Sequence, residues 1–211
     1  MKNNCRPLFR LVAGLASLCA SGCAYTTVGS KLGPLTPPRP DFQPSVEHTV
    51  GDFSFTLEGG KMVTSNFVGR TLNESIMGSW KDRGYIREAK SVESGAFSGK
   101  ADYQVTLSGS QYGESSVAMQ LLCGLTLFLV PYTVTQSYDI QYTLQDVAAA
   151  KTYSASVQES NKTYVELFLL VTLPFAARNQ NAMLARMGDH LYDQLYRQGA
   201  FRRAANAAAP R

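Results

Sequence analysis

Few residues in this 211-residue chain are spaced as chemistry would require. It has two histidines, His48 and His190, and neither has a partner at metal-ligand spacing. His190 falls in a helical stretch between Asp189 and Asp193, where a surface histidine is the plain reading. No Gly-x-Ser-x-Gly elbow is present to raise a nucleophilic serine. Gly59-Gly60 precedes a helical pattern, but a phosphate-binding loop carries more glycines and a lysine at fixed spacing. The carboxylates Asp102, Glu114, Asp139, Asp146 and Glu159 are scattered, and an acid–base pair formed across strands leaves no trace in spacing. The residues therefore point to no enzyme, no metal and no cofactor.

The cysteines are more informative. Cys123 sits in LLCGL and reads as a small buried hydrophobe. Cys5 and Cys19 lie in a leader with the parts of a secretory signal. Lys2, Arg6 and Arg10 make it positive, and Leu11 to Cys19 make an apolar run too short to span a bilayer. Small residues follow, and Ala20-Ser21-Gly22-Cys23 ends the leader. This stretch resembles the lipobox of bacterial lipoproteins. The resemblance implies that the Cys23 thiol receives diacylglycerol, that residues 1–22 are removed, and that the new amine is acylated. Ala20 departs from the pattern, which usually has Leu there. Ala24 stands where an aspartate would hold such a protein in the inner membrane, so the resemblance implies the outer membrane, facing the periplasm. The alternative is a soluble periplasmic protein cut near Ala20.

Removing residues 1–22 leaves 189, enough for one domain with a proper core. The net charge of +4 loses Lys2, Arg6 and Arg10 with the leader and becomes about +1. No basic block remains to attract nucleic acid. With Cys23 lipidated, Cys123 has no partner for a disulfide despite an oxidising compartment. Residues 23–45 carry Pro34, Pro37, Pro38, Pro40 and Pro44, and read as an extended tether. At roughly 3 Å per residue it would lift the domain some 60 Å from the bilayer.

The domain is expected over 46–200, with a frayed tail over 201–211. Phe53, Phe55 and Leu57 alternate with polar residues as in a half-buried strand. Val68, Leu72, Ile76 and Trp80, with Phe67 beside them, predict a helix over about 64–83, closed by Gly84. Tyr85-Ile86 predicts the start of a strand, and residues 91–100 a loop. Alternation continues over 103–107, 138–144 and 153–157, the last two joined as a hairpin around 146–151. Leu184, Met187, Leu191 and Leu195 predict a final helix over about 179–198.

Two stretches fit no amphipathic pattern. LLCGLTLFLVP, residues 121–131, lies in a run with no charge between Glu114 and Asp139. LFLLVTLPF, residues 167–175, echoes it and also reaches a proline. Three readings stay open for Leu125, Leu127, Phe128, Leu129, Leu167, Phe168, Leu169 and Leu170: buried core strands, a segment on the bilayer surface, or a surface for a protein or lipid partner. A true membrane span is disfavoured by Gly124, Pro131 and the threonines. Each stretch follows an alternating strand. If those strands run the same way in one sheet, both emerge at one end. Phe128 then lies near Phe168, and Pro131 and Pro174 stop the ladder nearby.

This order predicts an α+β fold: a mainly antiparallel sheet, two amphipathic helices on one face, and two apolar segments at one end. Over residues 46–200 the order resembles the small α/β-sandwich domains of envelope lipoproteins. Examples are the lipopolysaccharide-assembly lipoprotein that plugs an outer-membrane barrel and the lipoprotein activators of peptidoglycan synthases. The resemblance implies a fold and not a role. The expectation is a non-enzymatic binding domain, held to the membrane through Cys23 and accessory to envelope assembly or maintenance. The alternative is a carrier holding a lipid or other amphiphile in an apolar groove.

Overall fold

The computed structural model describes residues 25–28, 31–57, 60, 62–126, 130, 132–165 and 173–202. The elements in chain order are β1 (Tyr25–Val28), β2 (Ser45–Leu57), β3 (Val63–Thr64), α1 (Asn66–Asp82), β4 (Glu88–Ser91) and β5 (Tyr103–Glu114). Then come α2 (Val117–Leu125), β6 (Tyr132–Asp146), β7 (Lys151–Val165) and α3 (Leu173–Arg197). The strands form one seven-stranded sheet in the order β1-β7-β6-β5-β2-β3, with β4 beside the first half of β2. It is mainly antiparallel; the parallel pairings are those of β2 with β4 and with β5. The expected α+β class and the two helices on one face are what the structure shows.

Alternation sets which face is covered. Tyr103, Val105 and Leu107 of β5 are buried, as are Tyr138, Ile140, Tyr142 and Leu144 of β6 and Tyr153, Ala155 and Val157 of β7. Register places these residues opposite one another, so they make one continuous apolar face. The other face carries Thr106, Ser108, Thr143, Ser154 and Ser156 and remains open. On β2 the inward set shifts from Val46, His48 and Val50 to Phe53 and Phe55, because a bulge lies between Val50 and Phe53. Gly109 faces this bulge at φ +146, where a Cβ would collide with the Asp139 carbonyl oxygen.

The helix over α1 follows its predicted stripe. Leu72, Ile76 and Trp80 are buried and Val68 is half-buried. Ser65 caps the start by accepting the Val68 N–H, and Gly84, at φ +73, follows the end. Trp80 lies edge-on to Tyr142, Tyr192 and Phe201, and its Nε1–H donates to the Gly188 carbonyl at 2.8 Å. One indole thus joins α1, the sheet, α3 and the chain beyond α3.

The structure corrects several expectations. Phe67 is exposed; one residue off the stripe, it is turned about 100° away from the core. Tyr85 and Ile86 are buried but precede the strand, which starts at Glu88. The proposed tether is largely part of the domain. Residues 25–28 pair with β7, the Glu159 carboxylate accepts the Lys31 and Leu32 N–H groups at 2.7 and 3.2 Å, and Leu32 and Phe42 pack on the core. Proline's extended backbone suits a strap laid along a surface as well as a free spacer. Phe201, placed in the frayed tail, is fully buried against Tyr103, whose hydroxyl accepts the Phe201 N–H at 3.1 Å. Pro174 does not stop a strand but sits in the first turn of α3, where a missing N–H leaves no intrahelical bond unmade.

Candidate functional site at the apolar end of the sheet

Strand direction gathers the site. β5 and β7 each run antiparallel to β6, so they run the same way, and β2 is parallel to β5. The ends of β2, β5 and β7 therefore meet at one end of the sheet, together with the starts of β1 and β6. Tyr25 and Tyr132 both pair with Val165 there. The two apolar stretches leave β5 and β7 at this same end, as their patterns implied.

The described start of the first stretch, residues 121–126, is not a strand. Residues 117–125 form α2, which Ser116 starts by accepting the Met119 N–H. An apolar run of this length does not choose between strand and helix by periodicity. Here the serine cap and the leucines, methionine and glutamine after it favour the helix. Only Cys123 of α2 is buried, as expected for that residue. Leu125 is 83% exposed and Leu121 64%, so the core reading fails for Leu125. Leu127, Phe128, Leu129, Leu167, Phe168, Leu169 and Leu170 lie outside the described residues, as do Cys23 and Pro131.

The site extends beyond the residues singled out from sequence. Met62 and Val63, where the chain passes from β2 to α1, are exposed, and Phe67 is 80% exposed. Val117 and Leu122 add to α2, and Tyr112 and Tyr164 stand near the ends of β5 and β7. Every large hydrophobic side chain exposed among the described residues lies at this end. The signals available were the uncharged run from 115 to 138 and the position of Phe67 one residue off its stripe.

The polar groups elsewhere serve the fold. His48 is buried, and its Nδ1 is 3.1 Å from Asn73 Nδ2, which also donates to the Thr49 carbonyl at 3.0 Å. Asn73 Oδ1 accepts the Tyr142 hydroxyl at 2.7 Å. That set of bonds assigns the neutral imidazole with Nδ1 as acceptor. Burial lowers its pKa to about 4. Asp189 pairs with Arg83 at 2.9 Å and accepts the Tyr85 hydroxyl at 3.2 Å. Burial raises its pKa, and Arg83 opposes the rise. His190 Nε2 meets the Gly33 carbonyl at 3.1 Å and holds the strap. Asp102 accepts from the Ser45 N–H and hydroxyl, both at 2.7 Å. Among the described residues, no group of three His, Cys, Asp or Glu could hold a metal ion, and no helix is long and apolar enough to cross a membrane.

A depression of about 400 Å³ is lined by Ser110, Ser137, Asp139, Gln158 and Ser160 of the open face, with Tyr112 and Lys31. Another of about 210 Å³ is lined by Asn73, Arg70 and Glu93 among others, and His48 is not part of its wall. The lining of the second is mostly polar, and that of the first is mixed.

No model of a known protein family matches the chain, and no curated protein matches it in sequence. Several solved structures match the chain at low identity. One is the PelC dodecamer from Paraburkholderia phytofirmans, 13% identical, covering 78% of this chain and 98% of that one, with a TM-score of 0.38. A second is protein XCC0632 from Xanthomonas campestris, 11% identical over 78% and 92%, at 0.39. A third, from Helicobacter pylori, is described as a neuraminyllactose-binding hemagglutinin homolog, 9% identical over 80% and 92%, at 0.40. Likeness this distant carries no role over to this chain.

Proposed function

We propose that this chain is a bacterial lipoprotein, held at the outer membrane by acyl chains on Cys23, whose periplasmic domain binds another envelope component and catalyses nothing. The observation that carries this reading is the meeting of two independent features at one end of the sheet. The lipobox-like stretch ends two residues before Tyr25, and Tyr25 lies at the end where the exposed hydrophobic side chains collect. Two peptide units span at most about 7 Å, so lipid on Cys23 starts beside that end. Each buried methylene contributes about 0.8 kcal/mol, so two or three acyl chains hold the protein firmly. The open face of Ser, Thr and Gln, with its depression around Asp139, is left free for a partner. Its Ser and Thr side chains are short, and ordering them costs little entropy.

The test is Cys23→Ser in the intact precursor. Labelled palmitate is expected to enter the wild-type chain and not the variant, and the variant is expected to keep its leader. Labelling of the variant at the wild-type level would contradict the anchor. Crosslinking in cells is expected to recover one envelope partner through the open face, and Thr143→Arg there is expected to abolish it.

A further inference from the structure

We infer that α2, together with the start of α1, sits in the interfacial layer of the bilayer, so that the domain rests on the membrane by its apolar end instead of hanging from a spacer. This rests on the reading of Cys23 as the lipid anchor. The first argument is reach. The chain enters the sheet at Tyr25, so only Ala24 separates the lipidated residue from the fold, and no free spacer exists to hold the domain away.

The second argument is the shape of the exposed surface. On α2, Val117, Ala118, Met119, Leu121, Leu122 and Leu125 are exposed. At 3.6 residues per turn they cover about 200° of the helix circumference. A folded partner docks against one side of a helix and leaves the rest wet. Apolar exposure over more than half the circumference fits a medium that surrounds the helix, as lipid does. Met62, Val63 and Phe67 extend the surface to a second point of contact.

The third argument is the treatment of the helix end. In lipid, carbonyls without partners are costly. The Thr126 hydroxyl donates toward the Leu122 and Cys123 carbonyls at 2.8 and 3.2 Å, and the Thr126 N–H donates to the Leu122 carbonyl at 3.0 Å. At the other end Ser116 accepts from Met119, and the Gln120 amide donates to the Ser115 hydroxyl. No Lys or Arg lies between Glu114 and Asp139, so headgroup charge does not contribute at α2. Docking there is expected to be indifferent to the anionic lipid fraction and to salt.

The experiment uses the full mature lipidated protein in vesicles of phosphatidylethanolamine and phosphatidylglycerol with brominated acyl chains. A bimane label is placed at Leu121→Cys, Cys123 being buried, and in a second sample at Thr143→Cys on the open sheet face. Quenching by the brominated chains is expected to be about fivefold stronger at 121 than at 143, with iodide in the water quenching only 143. Equal weak lipid quenching with iodide reaching both would overturn the inference, because the end then stands off the bilayer. Protection of position 121 from both quenchers would also overturn it, because a second copy or another protein then covers α2. The acyl mass on Cys23 is measured on the same samples. Its absence removes the anchor, while quenching at 121 still decides the docking. The Cys23→Ser mature chain, at high lipid concentration, is expected to bind more weakly but to keep the preference for 121 over 143.

Discussion

At the scale of single residues, His48 makes stability depend on pH. Its pKa, near 6.5 when exposed, falls to about 4 in the fold because burial disfavours the cation. Between those values the unfolded chain binds the proton and the folded chain does not. Stability is therefore full above pH 6.5, falls as the pH drops toward 4, and gains no further loss from this residue below that. The effect amounts to at most about 3 kcal/mol. Urea unfolding at pH 7 and pH 4.5 measures it, and His48→Gln, which keeps an acceptor for Asn73, is expected to remove this part of the difference. An unchanged difference would show that His48 is not its source. This environment was not legible in the sequence. Asn73 and Tyr142 lie 25 and 94 positions further along the chain, and only the packing of α1 on the sheet brings them together. Trp80 was legible because it stands on a regular stripe, and a lone tryptophan on such a stripe packs inward.

At the scale of elements, the edges of the sheet are guarded in a way that spacing alone did not reveal. Over Ser154 and Ser156, strand β7 has no neighbouring strand on its outer side. There Gln194 of α3 and Gln198, the residue after its end, take the place of one. Each amide donates to a serine carbonyl, at 2.8 and 2.6 Å, and accepts the same serine's N–H, at 3.1 and 3.3 Å. An open edge invites pairing with another chain. Gln194→Ala with Gln198→Ala is expected to cost about 2–4 kcal/mol and to raise aggregation at equal concentration. Thermal unfolding and light scattering check this, and a silent double variant would show that the edge needs no cover. Strand and helix positions were legible where one face is apolar and the other polar, as on β5, β6 and α1. The first apolar stretch was not, because a run without polar residues carries no period. The strap was misread because prolines specify extended backbone and do not specify whether anything lies beneath it.

At the scale of the whole molecule, the consequence of strand direction was legible and its content was not. The patterns at 103–107 and 153–157 implied that both apolar stretches leave by one end if the strands run alike, and they do. The arrival of β1 at that end was not implied, and it makes residues 25–28 a strand of the sheet beside the apolar surface instead of a spacer. On the proposed docking, the β6–β7 turn at 147–150 lies at the end of the sheet away from the membrane, and the open polar face stands roughly along the membrane normal. Hydrogen exchange by mass spectrometry tests this arrangement directly, comparing the lipidated chain on nanodiscs with a chain that starts at residue 23 and carries Cys23→Ser, in solution. The account predicts slowed exchange in residues 117–126 and the first turn of α1, with exchange at 147–150 unchanged. Slowed exchange at 147–150, or none at α2, would contradict it.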